Sequence, residues 1–123
     1  MNDSAAKSLL LIVRHSPYGG GLARASVDFA LACGAFEQNV TLLFSGAGVL
    51  QLKEQQDGNA LGLKDIRKQL SSLPLYDIES VYIDAEASER YNVSLDNSPV
   101  EARALDAAAM RALIATHNHV ITL

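Results

Sequence analysis

Two apolar runs constrain this chain more than any other feature. Ser8 to Arg14 reads SLLLIVR and Val40 to Phe44 reads VTLLF, and neither alternates polar with apolar residues. A strand with that pattern is covered on both faces, the environment of a parallel sheet flanked by helices. Between the two runs lies an apolar helical stretch from about Leu22 to Phe36, opened by three consecutive glycines, Gly19 to Gly21.

The rest of the chain repeats that alternation of strand and helix. After the turn SGAG, GVLQL adds one helical turn, and the polar KEQQDGNALG carries the turn signal Asp57-Gly58. Leu63, Ile66, Leu70 and Leu73 recur at intervals of three and four, which makes one apolar helix stripe that Pro74 ends. Val81 to Asp84 is the next strand, EASERY a short helix or turn, and Pro99 to Leu105 holds a fourth strand. Asp106 is placed to cap AAAMRALIAT, and Asn118 to close that helix in a left-handed conformation before the last strand, His119 to Leu123. Five strands interleaved with helices predict a three-layer α/β/α single domain over residues 1–123, with a mostly parallel sheet. Right-handed crossovers then put helices on both faces. Met1 to Lys7 reads as a loose lead-in.

A chain of 123 residues is of ordinary single-domain size and needs no covalent staples. Its single cysteine argues against a secreted disulfide scaffold. A formal charge of -4 counts against direct nucleic-acid binding. The first apolar run, Leu9 to Val13, is too short for a signal core or a membrane span. The expectation is a soluble cytoplasmic protein.

The glycine loop lacks the lysine and hydroxyl of a P-loop, because Leu22 and Ala23 follow Gly21. PYGGGLA is also too compact for a dinucleotide fingerprint. A helix N-terminus still attracts anions. His15, Ser16, Tyr18, Gly19, Gly20 and Gly21 therefore form a weak candidate binding loop, against the plainer reading of a strand-to-helix turn. His15 lies just past a strand's carboxyl end, where open α/β sheets place their crevices, although a lone loop histidine is also commonly structural. Receiver-type magnesium chemistry fails, since the first strand ends in Arg14 and His15 and supplies no carboxylate.

Cys33 sits near the C-terminal end of its helix, between Phe29 and Phe36, where the helix dipole disfavours a thiolate. That reads as inert filling rather than a sulfur carrier. His117 and His119 form an H-x-H pair without a clear third ligand, so neither a metal nor a cofactor is expected. Lys64, Arg67 and Lys68 lie off their helix's apolar stripe, as a solvated face or a docking face. The first helix is apolar most of the way round, more than one sheet face covers. Val27, Ala30, Leu31 and Gly34 are accordingly the expected partner interface, against an Ala-rich helix with ordinary exposed apolar atoms.

Taken in order, SPYGGGLARASVDFALACGAF, VTLLFSGAGVLQL, LPLYDIESVYID and HVITL resemble the DsrE/DsrF/DsrH-like family, from about Leu9 to Leu123. SGAGVLQL and LYDIE resemble its DsrF-like branch rather than the sister subunits. The resemblance implies a part in sulfur relay toward 2-thiouridine at the tRNA wobble position. It further implies a hetero-oligomer with TusB-like and TusD-like sisters, two copies of each, and a TusE-like acceptor. In the family the TusD-like subunit carries the persulfide cysteine in a loop beyond the second strand. The corresponding LQLKEQQDGNALGLKDIRKQLSSLPLYDI contains no cysteine. The resemblance thus implies a structural, non-catalytic subunit. Two other classes stay open on the residues alone: a stand-alone small-molecule or nucleotide-binding protein using the His15–Gly21 loop, and an enzyme with Cys33 as sulfur carrier.

Overall fold

Strand pairing organises the computed structural model, which describes residues 8–16, 22–35, 39–53 and 67–123. The strands are β1 (Ser8–Val13), β2 (Asn39–Phe44), β3 (Ser80–Asp84), β4 (Arg103–Leu105) and β5 (His119–Thr122). They form one sheet in the order β4-β3-β2-β1-β5, and every pairing is parallel. The helices are α1 (Leu22–Ala35), α2 (Ala85–Arg90) and α3 (Ala107–Ala115). Residues 67–71 are also helical, and 3₁₀ turns span Gly46–Leu52 and Leu73–Tyr76. The Gly46–Leu52 turn is the one expected from GVLQL.

Period-two side-chain geometry sorts the apolar residues onto two faces. Leu9, Leu11 and Val13 lie in register with Val40, Leu42 and Phe44, and Leu42 and Phe44 with Val81 and Ile83. These rows form one core with Val27 and Ala30 of α1, Leu70, Leu73 and Ala87 of α2. Successive steps from β1 to β4 run one way across the sheet, so right-handed crossovers put those helices on that face. The return from β4 to β5 reverses direction and carries α3 to the other face. Leu10 and Leu43 are buried there, and this burial of both faces explains the unalternated sequence.

The second layer is thin. Asp106 caps α3 as expected, its Oδ1 accepting the Ala109 N–H at 2.8 Å. Ala109, Met110 and Leu113 make a half-buried stripe toward the sheet, and α3 has no fully buried residue. The helix stops without the expected left-handed Asn118, since among the described residues Asp77 and Asn92 are the non-glycine ones with positive φ. Instead the Thr116 hydroxyl and His117 Nδ1 both donate to the Leu113 carbonyl, at 2.8 and 2.9 Å. Ile114, Val120 and Ile121 remain exposed around this edge.

The phase of α1 corrects the expected interface. Val27 and Ala30 are 3% and 0% exposed and belong to the chain's own core, with Leu31 packed partly against it. Their spacing of three to four places them on the sheet side of the helix. The outward side carries Ala25, Asp28, Phe29 and Ala32. Gly34 lies within α1, its surroundings outside what is described.

Candidate functional site

At the carboxyl end of β1 the chain packs closely enough to dictate residue type. Ser45 N–H donates to Val13 O at 3.0 Å, Leu123 N–H to Ile12 O at 2.8 Å, and Arg14 N–H to Leu123 O at 2.7 Å. Gly48 lies against the same point, where an added Cβ would stand 2.0 Å from Val13 O and 2.8 Å from its carbonyl carbon. Gln51, 2% exposed, donates through Nε2 to the His15 carbonyl at 2.8 Å. Its Oε1 is buried without a hydrogen-bond partner. Gly48 and Gln51 therefore set the path by which the chain leaves β1. Sequence reasoning missed both roles, because a glycine in a turn and a glutamine beside apolar residues carry no distinctive signal.

Arg14, His15, Ala25, Thr122 and Leu123 line a hollow of about 450 Å³ at the ends of β1 and β5. His15 is exposed there, at the strand end where the sequence put it, and Ser16 beside it is half-buried. Tyr18, Gly19, Gly20 and Gly21 lie outside the described residues. The described lining supplies the Arg14 guanidinium and the His15 imidazole and no carboxylate or thiol side chain. It can face an anion, but those residues assemble neither an acid–base pair nor a sulfur nucleophile.

A second crevice opens where the exits of β3 and β4 lead to opposite faces, the topological position at which open α/β sheets bind ligands. Its volume is about 750 Å³, lined by Asp84, Glu86, Glu89, Arg90, Asp106 and Met110 among others. The carboxylates are largely engaged. Asp84 Oδ1 accepts the Ala87 N–H at 3.2 Å and Asp106 caps α3, while Arg90 pairs with Glu86 at 3.2 Å. Asp84 reads from sequence as a strand end only; its capping role needed the helix start in EASERY to be fixed. Among the described residues no cluster of three or more His, Cys, Asp or Glu could hold a metal.

Cys33 is half-buried and packs against the core, and desolvation pushes its thiol pKa up from 9.0. This keeps it protonated and weakly nucleophilic at neutral pH. His117 and His119 straddle a helix end and a strand start. The Leu113 carbonyl only accepts, so His117 Nδ1 donates to it, and Nε2 lies within hydrogen-bond distance of the Thr41 hydroxyl at 3.1 Å. That network ties α3 to β2 across the second face, with His119 exposed on β5.

The basic face expected from Lys64, Arg67 and Lys68 does not hold together. Arg67 is half-buried and donates to the Lys53 carbonyl at 3.0 Å and the Asn97 carbonyl at 2.8 Å, clamping two loops. Lys68 is exposed, and Lys64 lies outside the described residues.

An open, all-parallel α/β sheet with a glycine-dependent strand end defines a class of small α/β proteins. The model of the DsrE/DsrF-like family matches residues 7–123, and the chain belongs to that family. The TusC homolog of Pseudomonas aeruginosa is 35% identical over 118 residues, covering 96% of this chain and 99% of that protein. The intracellular sulfur oxidation protein DsrF of Allochromatium vinosum is 30% identical over 95 residues, 77% of this chain and 70% of that protein. The crystal structure of the YchN protein from E. coli matches with a TM-score of 0.75 at 14% identity, over 95% of this chain and 99% of that chain. That last likeness is one of fold.

Proposed function

We propose that this chain is a non-catalytic structural subunit of a cytoplasmic, TusBCD-type sulfur-transfer complex that supports 2-thiouridine formation at the tRNA wobble position. Its partners in this reading are TusB-like and TusD-like sister subunits, two copies of each, with a TusE-like protein accepting sulfur from the assembly. The observation that carries the reading is the 35% identity to a TusC homolog along almost the full length of both chains. The chemistry of the thiol agrees. Cys33 is the single cysteine, it lies in α1 rather than in the stretch after β2, and burial holds its pKa up.

The test is genetic and chemical together. Deleting the gene should abolish wobble 2-thiouridine, measured by mass spectrometry of digested tRNA, and a Cys33→Ala copy should restore it. Loss of restoration by Cys33→Ala, with the variant present at normal level, would make Cys33 a sulfur carrier and overturn the structural role.

A further inference from the structure

Large apolar side chains stand in solvent at the opposite end of the sheet, on the turn before β3. Leu75 is 84% exposed and Tyr76 40% exposed, while Leu73 beside them is completely buried. A leucine that open is unusual only because of how it is held. Leu75 N–H donates to Ser72 O at 2.9 Å, Asp77 N–H to Pro74 O at 3.1 Å, and Ile78 N–H to Leu73 O at 3.1 Å. Pro74 restricts its own φ, and Asp77 closes the turn in the left-handed region at φ 61. The buried Leu73 and Ile78 anchor both flanks, and the turn packs against α1. The result is a hydrogen-bonded turn that holds two large apolar side chains toward solvent.

Acidic residues follow it in the chain. Asp77 and Glu79 are exposed and have no ion-pair partner among the described residues. Just beyond, Glu79 and Glu101 edge a hollow of about 290 Å³ between β3 and β4, with Arg103 as its only basic lining residue among those described. An acidic margin repels phosphate backbones and anionic lipid surfaces, which leaves a protein with a basic rim as the complementary surface. An ordered backbone lowers the entropic cost of docking.

We propose that the Leu73–Tyr76 turn is a docking knob, with Leu75 and Tyr76 inserting into an apolar socket of a sister subunit whose rim supplies lysine or arginine toward Asp77 and Glu79. The proposal rests on the subunit role given above. Burying one leucine side chain corresponds to about a 10- to 100-fold effect on affinity.

The experiment mixes the purified full chain with the TusB-like and TusD-like subunits from the same organism. Assembly is followed by light scattering after size exclusion and by calorimetric titration. Leu75→Ser should weaken assembly about 10- to 100-fold while leaving the thermal midpoint of the isolated chain unchanged. Glu79→Lys should weaken it further at low salt than at high salt. Normal assembly by Leu75→Ser and by a Tyr76→Ser variant would overturn the knob and leave the subunit role standing. Failure of the unmodified chain to assemble would overturn the subunit role and the knob with it. Leu75-dependent self-association that neither sister displaces would overturn the hetero-docking in favour of a second copy of this chain.

Discussion

Replacing Gly48 with alanine should be among the most damaging small changes available to this chain. The added Cβ would lie 2.0 Å from Val13 O, 2.8 Å from Val13 C and 3.1 Å from Arg14 Cα, all backbone atoms that cannot rotate away. Reaching ordinary contact requires the Gly46–Leu52 turn and the end of β1 to separate by about 1.4 Å. Val13 is 1% exposed and in register with Phe44, so β1 cannot yield without disturbing the core. The turn must move instead, and it takes with it the Ser45 N–H to Val13 O bond and the Gln51 bond to His15. Overpacking costs about 1–3 kcal/mol and each lost hydrogen bond about 1 kcal/mol, so the expected loss is roughly 3 kcal/mol or more. Gly46→Ala is the control. Gly46 has φ +55 and a Cβ there would meet no atom within 4 Å, so only the left-handed backbone is penalised, by about 1–2 kcal/mol. Urea unfolding followed by circular dichroism gives both values on one scale. A Gly48→Ala loss no larger than that of Gly46→Ala would refute the steric argument.

Further outcomes rest on named contacts. Arg67→Met should lower the unfolding free energy in urea by about 1.5–3 kcal/mol, because it strips a charged donor from the Lys53 and Asn97 carbonyls, and Arg67→Lys should recover only part of this. Thr41→Val should cost about 1 kcal/mol and increase hydrogen exchange in α3, since the hydroxyl ties His117 to β2. The raised pKa of Cys33 gives a signed pH effect: above pH 9.0 the unfolded thiol ionises before the folded one, so the unfolded chain binds fewer protons and stability falls as pH rises. Cys33→Ala should flatten that alkaline limb in parallel denaturation curves, and iodoacetamide should modify folded Cys33 more slowly than free cysteine at equal pH.

The sheet is readable from sequence because burial on both faces removes alternation, and SLLLIV and VTLLF could be little else. The phase of α1 is not readable, for the same reason turned round. When apolar residues surround a helix, periodicity no longer says which side meets the sheet. Packing selects Ser26, Val27 and Ala30, a polar residue among them, and leaves Phe29 outside at 38% exposed. Arg67 escapes a sequence reading because its position off the stripe says nothing of the two carbonyls that come within its reach. The end of α3 escapes it because Thr116 and His117 satisfy a carbonyl by side chains, which a rule based on left-handed residues does not register. His15 stands at its strand end as expected, whereas Gly48 and Gln51, which fix the chain around it, depend on contacts between segments far apart in sequence.

The two ends of the sheet divide the physical roles between them. At the carboxyl end of β1 the chain fills its own space: Gly48 admits no further atom, and Gln51 holds the His15 carbonyl. What stays open there is a hollow whose described lining lacks a carboxylate or thiol side chain. On the other side of the fold, before β3, hydrogen bonds and buried anchors maintain an exposed leucine that folding alone gives no reason to hold out. Solvent exposure of Leu75 costs the isolated chain the burial that a leucine ordinarily contributes, about 1.5–3 kcal/mol. A second protein surface would recover that term, and the rigid turn means that little ordering would be lost in doing so.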